Sequence, residues 1–356
     1  MQVLFEHMKL SVLTVLFLFQ SLLTVAQLLP GFQASGSFGE QQMLIDHAPT
    51  NSRILINAPL EGFGEKDQVL LIFYALPNGN SIEQTFGKTL KEGDHWHYDI
   101  QHIGAQTRFL RKQLKDQIIV VVYLEARQLS WPQWRKENPN YLHDTKDLVD
   151  EITVLFHPWN PHLVLNGHSG GGRFIFSYLE AEGTIPQKVK RIAFLDSSYG
   201  YEDGIHGPLL VEWLSSGKDK YLCTLAYNDS VVIYNDKPLV SPEGGTWYRS
   251  KLMKKYLAVS FPFQAVNADT LIWFSNPDRR IQIILKTNPE RKIYHTVQIE
   301  RNGFIHSILS GTKLELKRYA YFGERAYVDY ISDDIILPDP LNTIPEPRIV
   351  YISNGQ

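Results

Sequence analysis

Five short stretches of this chain are apolar almost without interruption. They are residues 68–74 (QVLLIFY), 117–124 (QIIVVVYL), 162–166 (HLVLN), 191–195 (RIAFL) and 221–226 (YLCTLA). A strand with one wet face alternates apolar and polar residues; these stretches do not, so both of their faces must be covered. Segments with apolar residues at helical spacing separate them: 103–115 with Phe109, Leu110 and Leu114, 144–156 with Leu148, Ile152 and Leu155, then 174–182 and 209–214. Strands buried on both faces and alternating with helices predict the α/β class, a mostly parallel, doubly wound sheet with helices on both faces. The alternation runs from about residue 53 to residue 256 without a break in composition, and the expected domain spans 51–332. Residues 281–285 and 293–299 read as two further strands, 27–50 as a Gly-, Gln- and Ser-rich leader, and 333–356 as a Pro-rich extended tail.

The N-terminal segment stands apart from this pattern. Residues 10–26 are apolar and uncharged, Lys9 precedes them, and Thr24-Val25-Ala26 closes them. That is the form of a secretory signal peptide over 1–26; an uncleaved anchor is the alternative, and after processing no stable membrane span is expected. The single cysteine, Cys223, excludes an internal disulfide and a thiolate metal cluster. An exported chain without disulfides fits a bacterial periplasm or extracellular location. A net charge of -3 gives no basic footprint for nucleic acid.

Chemistry concentrates between the third apolar stretch and the helix after it. Gly167-His168-Ser169-Gly170-Gly171-Gly172 satisfies G-x-S-x-G. The bare pattern says little, but its place does: a serine on a tight strand-to-helix turn is exposed, and the helix start aims free N–H groups at developing negative charge. A Gly-rich turn without chemistry and a phosphate-binding turn are the competing readings.

In this setting the segment resembles the nucleophile elbow of the α/β-hydrolase superfamily. The resemblance implies a triad in the chain order Ser169, acid, histidine. Two histidines follow residue 206, His295 and His306. His295 falls inside the expected strand 293–299 and His306 just beyond it, so His306 is the expected base. The acid should follow the strand 221–226, which gives Asp229; Asp196, one strand earlier, is the alternative acid, and Asp269 and Asp278 are weaker ones. The resemblance also implies an oxyanion hole from the Gly170 N–H and a second donor in the loop after 68–74. Pro77 has no N–H, which leaves Leu76 or Asn78. The distance between Asp229 and His306 implies an insertion between the acid and the histidine, roughly 238–292, as a lid or a sheet extension.

His168, Trp131, Trp134 and Tyr199 are expected to line the substrate cleft, the tryptophans because they follow a strand on its ligand-binding edge. His95, His97 and His102 lack a matching carboxylate pattern, so no metal site and no cofactor are expected. Together these features predict an exported serine hydrolase that cleaves a small-molecule or oligomeric carboxylic ester through an acyl-enzyme. An amidase or peptidase on the same fold is one alternative; a non-catalytic carbohydrate- or envelope-binding protein is the other.

Overall fold

The apolar stretches become the centre of one eleven-stranded sheet. The protein is seen here as a computed structural model that describes residues 28–36, 38–64 and 68–345. The expected signal segment 1–26 and the end of the tail lie outside the described residues. In chain order the elements are β1 (Gln33–Ser35), β2 (Glu40–His47), β3 (Ser52–Pro59), β4 (Val69–Ala75), α1 (Ile82–Phe86), α2 (Ile103–Gln113), β5 (Ile118–Ala126), α3 (Trp131–Glu137), α4 (Tyr141–Leu155), β6 (His162–His168), α5 (Gly172–Glu182) and β7 (Val189–Leu195). There follow α6 (Asp203–Ser215), β8 (Tyr221–Tyr227), the short pair β9 (Ile233–Tyr234) and β10 (Lys237–Pro238), α7 (Thr246–Leu257), β11 (Gln264–Ala268), β12 (Leu271–Ser275), β13 (Ile281–Lys286) and α8 (Phe304–Leu309).

The sheet order is β1-β2-β3-β5-β4-β6-β7-β8-β13-β12-β11. From β5 to β13 every neighbouring pair is parallel; the outer pairs are antiparallel. Alternate residues of each central strand feed two cores. Leu71 and Phe73 pack with α4, α5, α6 and α7 on one face. Leu70, Ile72 and Tyr74 pack with α1, α2 and α8 on the other. Each such side chain contributes roughly 1.5–3 kcal/mol of burial, which is why these strands are continuous apolar runs. This is the α/β-hydrolase fold. Chain progression reverses between β4 and β6, and the carboxyl ends of these two strands flank the crevice where such sheets bind ligands.

Two expectations change, for the leader and for 293–299, and two are sharpened. The leader 27–50 is no loose segment: β2 pairs with β3 over its whole length. Its polar start is buried because Glu40 accepts from both Arg108 (3.1 and 2.7 Å) and Arg111 (2.7 Å). The tail is extended but docked, with the Asp46 and Leu341 N–H groups donating to Leu341 O and Leu44 O. Residues 293–299 form no strand; they cross from β13 toward a π-turn at Ile299–Gly303. The segment 238–292 extends the sheet, as β11 and β12 add to the edge of β13 and α7 packs on one face.

Candidate active site

β6 ends at His168, and the chain turns at once through a 3-10 turn, Ser169–Gly171, into α5. Ser169 takes φ 53°, the left-handed region that L side chains avoid, at a cost of about 1–3 kcal/mol. Small neighbours make the turn possible. A Cβ on Gly171 would lie 2.1 Å from Ala75 O, and one on Gly172 would lie 1.8 Å from Ser197 O. The glycines thus let α5 start against the ends of both neighbouring strands. Ser169 is half-buried while His168 and Gly170 are buried, so of these three residues Ser169 alone keeps access to solvent.

The loop after β4 lies on the same turn. Asn78 Oδ1 would be 1.9 Å from a Cβ on Gly170. Leu76 N–H is committed to Leu124 O at 3.0 Å and Gly79 N–H to Leu129 O at 2.8 Å. The Asn78 N–H has no partner among the described residues. Gly170 N–H, in the first turn of a 3-10 segment, has no intrahelical acceptor. Of the two early-loop candidates, Leu76 is therefore spent on its neighbour strand and Asn78 is available. Asn80 braces the loop, donating to Asn78 O at 3.4 Å and accepting from Gln101 Nε2 at 3.3 Å.

The structure brings His295 rather than His306 to this turn. His295 Nδ1 meets Asp196 Oδ2 at 2.5 Å, with Asp196 fully buried and the His295 side chain 24% exposed. A carboxylate only accepts, so Nδ1 carries the proton and Nε2 of the neutral ring keeps its lone pair. Nε2 and the Ser169 hydroxyl have no partner among the described residues. His168, next to Ser169 in the chain, fixes this histidine from below. Its ring lies 4.6 Å from the His295 ring, and its Nε2 donates to His295 O at 3.2 Å. Burial first, and then His295, push the His168 imidazole well below the usual histidine range. It is a buried neutral clamp, not the cleft-lining group expected from sequence. Tyr199 packs edge-on against His295 at 6.4 Å and is half-buried.

Asp196 and Asp229 terminate adjacent strands, β7 and β8, and both are buried. Thr246, the first residue of α7, joins them. Its hydroxyl contacts Asp196 Oδ1 and stands 3.3 Å from Asp229 Oδ2, to which its N–H donates at 2.8 Å. Asp229 Oδ1 has no partner among the described residues. Burial, and then the Asp196 charge, raise the Asp229 carboxyl to about 6.

His306 does not meet Asp229. It is fully buried on α8, stacked on Tyr321 at 5.1 Å, with Nδ1 3.0 Å from Tyr319 Oη. Burial lowers it to about 3, which leaves no charged form to stabilise at working pH. Trp131 and Trp134 are also buried: their Nε1 groups donate to Leu124 O at 3.2 Å and Thr50 O at 2.6 Å, and Trp131 packs on Phe174. They support α5 and do not line the cleft. Of the histidines considered for a metal, His102 is buried against Asp99, while His95 and His97 stack on each other at the surface.

The displaced histidine traces to one misread segment. If 281–285 is taken as the last sheet strand, the rule that the histidine follows it gives His295 at once. Residues 293–299 (IYHTVQI) are rich in β-formers and obscure that reading. Thr246 carries no signal in the sequence, because its role depends on two strand ends meeting one helix start.

No family model matches the chain, and no curated protein matches it. Several solved structures are similar. A thermostable esterase has 14% identity and a TM-score of 0.39, covering 65% of this chain and 52% of that one. An S-formylglutathione hydrolase from Agrobacterium tumefaciens has 12% identity and a TM-score of 0.38, covering 63% and 85%. A feruloyl esterase module from Clostridium thermocellum has 8% identity and a TM-score of 0.38, covering 65% and 80%.

Proposed function

We propose that this chain is an exported serine hydrolase that cleaves carboxylic esters with Ser169 as nucleophile, His295 as base and Asp196 as acid. The observation that carries the proposal is the Asp196–His295 contact, held beside a left-handed serine at a strand-to-helix turn. Rotation of the Ser169 hydroxyl toward Nε2 lets His295 take its proton as the oxygen attacks the substrate carbonyl. The tetrahedral oxyanion is received by the N–H groups of Gly170 and Asn78. His295 then gives the proton to the leaving alcohol, and water, deprotonated the same way, releases the acid. Asp196 stabilises the imidazolium without taking its proton. No cofactor enters these steps. An exported, periplasmic or extracellular location follows from the signal-like segment 1–26.

The carbohydrate-binding alternative loses its support, since Trp131 and Trp134 are buried. The test is labelling of the folded chain with a fluorophosphonate, followed by peptide mapping. An adduct at Ser169, absent in Ser169→Ala, is expected; a folded chain that hydrolyses no p-nitrophenyl ester and takes no adduct there refutes the proposal.

A further inference from the structure

Two carboxylates stand where a single triad acid is required, and one hydroxyl joins them. Thr246 Oγ1 has one proton and contacts Asp196 Oδ1, the oxygen opposite the one His295 uses. The same Oγ1 faces Asp229 Oδ2 at 3.3 Å. With its proton given to Asp196, the hydroxyl can only accept from Asp229. Asp229 is in turn anchored by the Thr246 N–H at 2.8 Å. Residue 245 must lack a side chain for this, since a Cβ on Gly245 would lie 2.3 Å from Asp229 Oδ1. The glycine thus lets the second carboxylate dock onto the start of α7, and α7 presents its first hydroxyl to the first carboxylate.

We propose that Asp229 and Thr246 are positioning residues for the triad acid: Asp229 holds Thr246 in place, and the Thr246 hydroxyl fixes Asp196 against His295. This rests on the proposed triad. Neither residue touches substrate, and Thr246 is fully buried. The hydroxyl has one proton, and its contact with Asp196 leaves Asp229 without it. Burial and the Asp196 charge raise the Asp229 carboxyl, and in its protonated form it can donate to Thr246 Oγ1. The titratable groups facing Asp229 are Asp196 from the end of β7, Tyr199 from the turn after it, and Tyr227 from β8 itself.

The test combines kinetics with proton NMR of the His295 Nδ1–H. Thr246→Val is shaped like threonine but cannot donate. It is expected to lower kcat for p-nitrophenyl acetate roughly 10-fold, the cost of one hydrogen bond to a charged group, with KM unchanged, and Thr246→Ser is expected to restore most of the loss. The Nδ1–H resonance is expected to move in Thr246→Val. Asp229→Ala, which removes the acceptor of the Thr246 N–H, is expected to move the same resonance. Wild-type kcat and an unmoved resonance in Thr246→Val, or an unmoved resonance in Asp229→Ala, overturns the inference. Fluorophosphonate labelling of the same samples separates the two readings. A labelled Ser169 with unchanged Thr246→Val behaviour sinks this inference alone. If Ser169 does not label, the triad reading fails, and the resonance still decides whether Thr246 and Asp229 hold the Asp196–His295 contact.

Discussion

Replacing Asp229 by Asn should change how stability depends on pH. In the folded chain this carboxyl is raised from 3.8 to about 6, first by burial and then by Asp196. A shift of that size corresponds to ~3 kcal/mol between the protonated and ionised forms. The folded state binds the proton more tightly than the unfolded chain does. The stability it contributes is therefore fully present below the unfolded value and is lost as pH rises through about 6. Between about pH 4.5 and about pH 7.5, ~2 kcal/mol of this should be lost by the wild type and kept by Asp229→Asn, whose amide does not titrate. The amide oxygen can still accept the Thr246 N–H, so the variant keeps the shape of the site. Urea unfolding of both proteins at the two pH values measures the effect, because the other titrating groups are common to both and cancel. A stability difference that is the same at both pH values would show that Asp229 is not strained by its charge, and the reasoning from its burial would fail.

Three further outcomes follow from the geometry. Asp196→Asn should lower kcat by ~10,000-fold, since it removes the acceptor that fixes the His295 tautomer, and Asp229→Asn should cost far less; steady-state hydrolysis of p-nitrophenyl acetate compares them. Gly172→Ala puts a methyl 1.8 Å from Ser197 O and should destabilise by ~3 kcal/mol or more, read from the urea midpoint or from loss of soluble protein. Glu40→Gln takes the carboxylate charge away from buried Arg108 and half-buried Arg111 and should cost roughly 3–5 kcal/mol in the same unfolding assay, without changing KM.

The central sheet was legible because its strands are covered on both faces. Their apolar runs, such as residues 69–75 and 118–126, admit no other placement. β2 was hidden because Glu40, Gln41 and Gln42 are buried by pairing, not by hydrophobicity; Gln41, for example, accepts the Leu29 N–H at 2.7 Å. α7 was hidden because few of its positions face the core: Thr246, Ser250, Met253 and Leu257 are buried among exposed or half-buried lysines and aromatics. At the site, the strand-to-helix turn at Ser169 and Gly170 was readable because it is a local pattern. The Asp196–His295 contact was not, because it spans 99 positions of chain and depends on which run is the last strand. Asp229 and Asp196 both occupy strand ends where an acid would serve, and only the position of His295 distinguishes them.

The most direct measurement sets two conservative variants side by side, His295→Gln and His306→Gln, in hydrolysis of a p-nitrophenyl ester by chains whose folding is checked by circular dichroism. The account predicts that His295→Gln loses at least ~1,000-fold in kcat while His306→Gln, buried behind Tyr319 and Tyr321, turns over like the wild type. A folded His295→Gln chain with wild-type turnover, or a folded His306→Gln chain without activity, contradicts it.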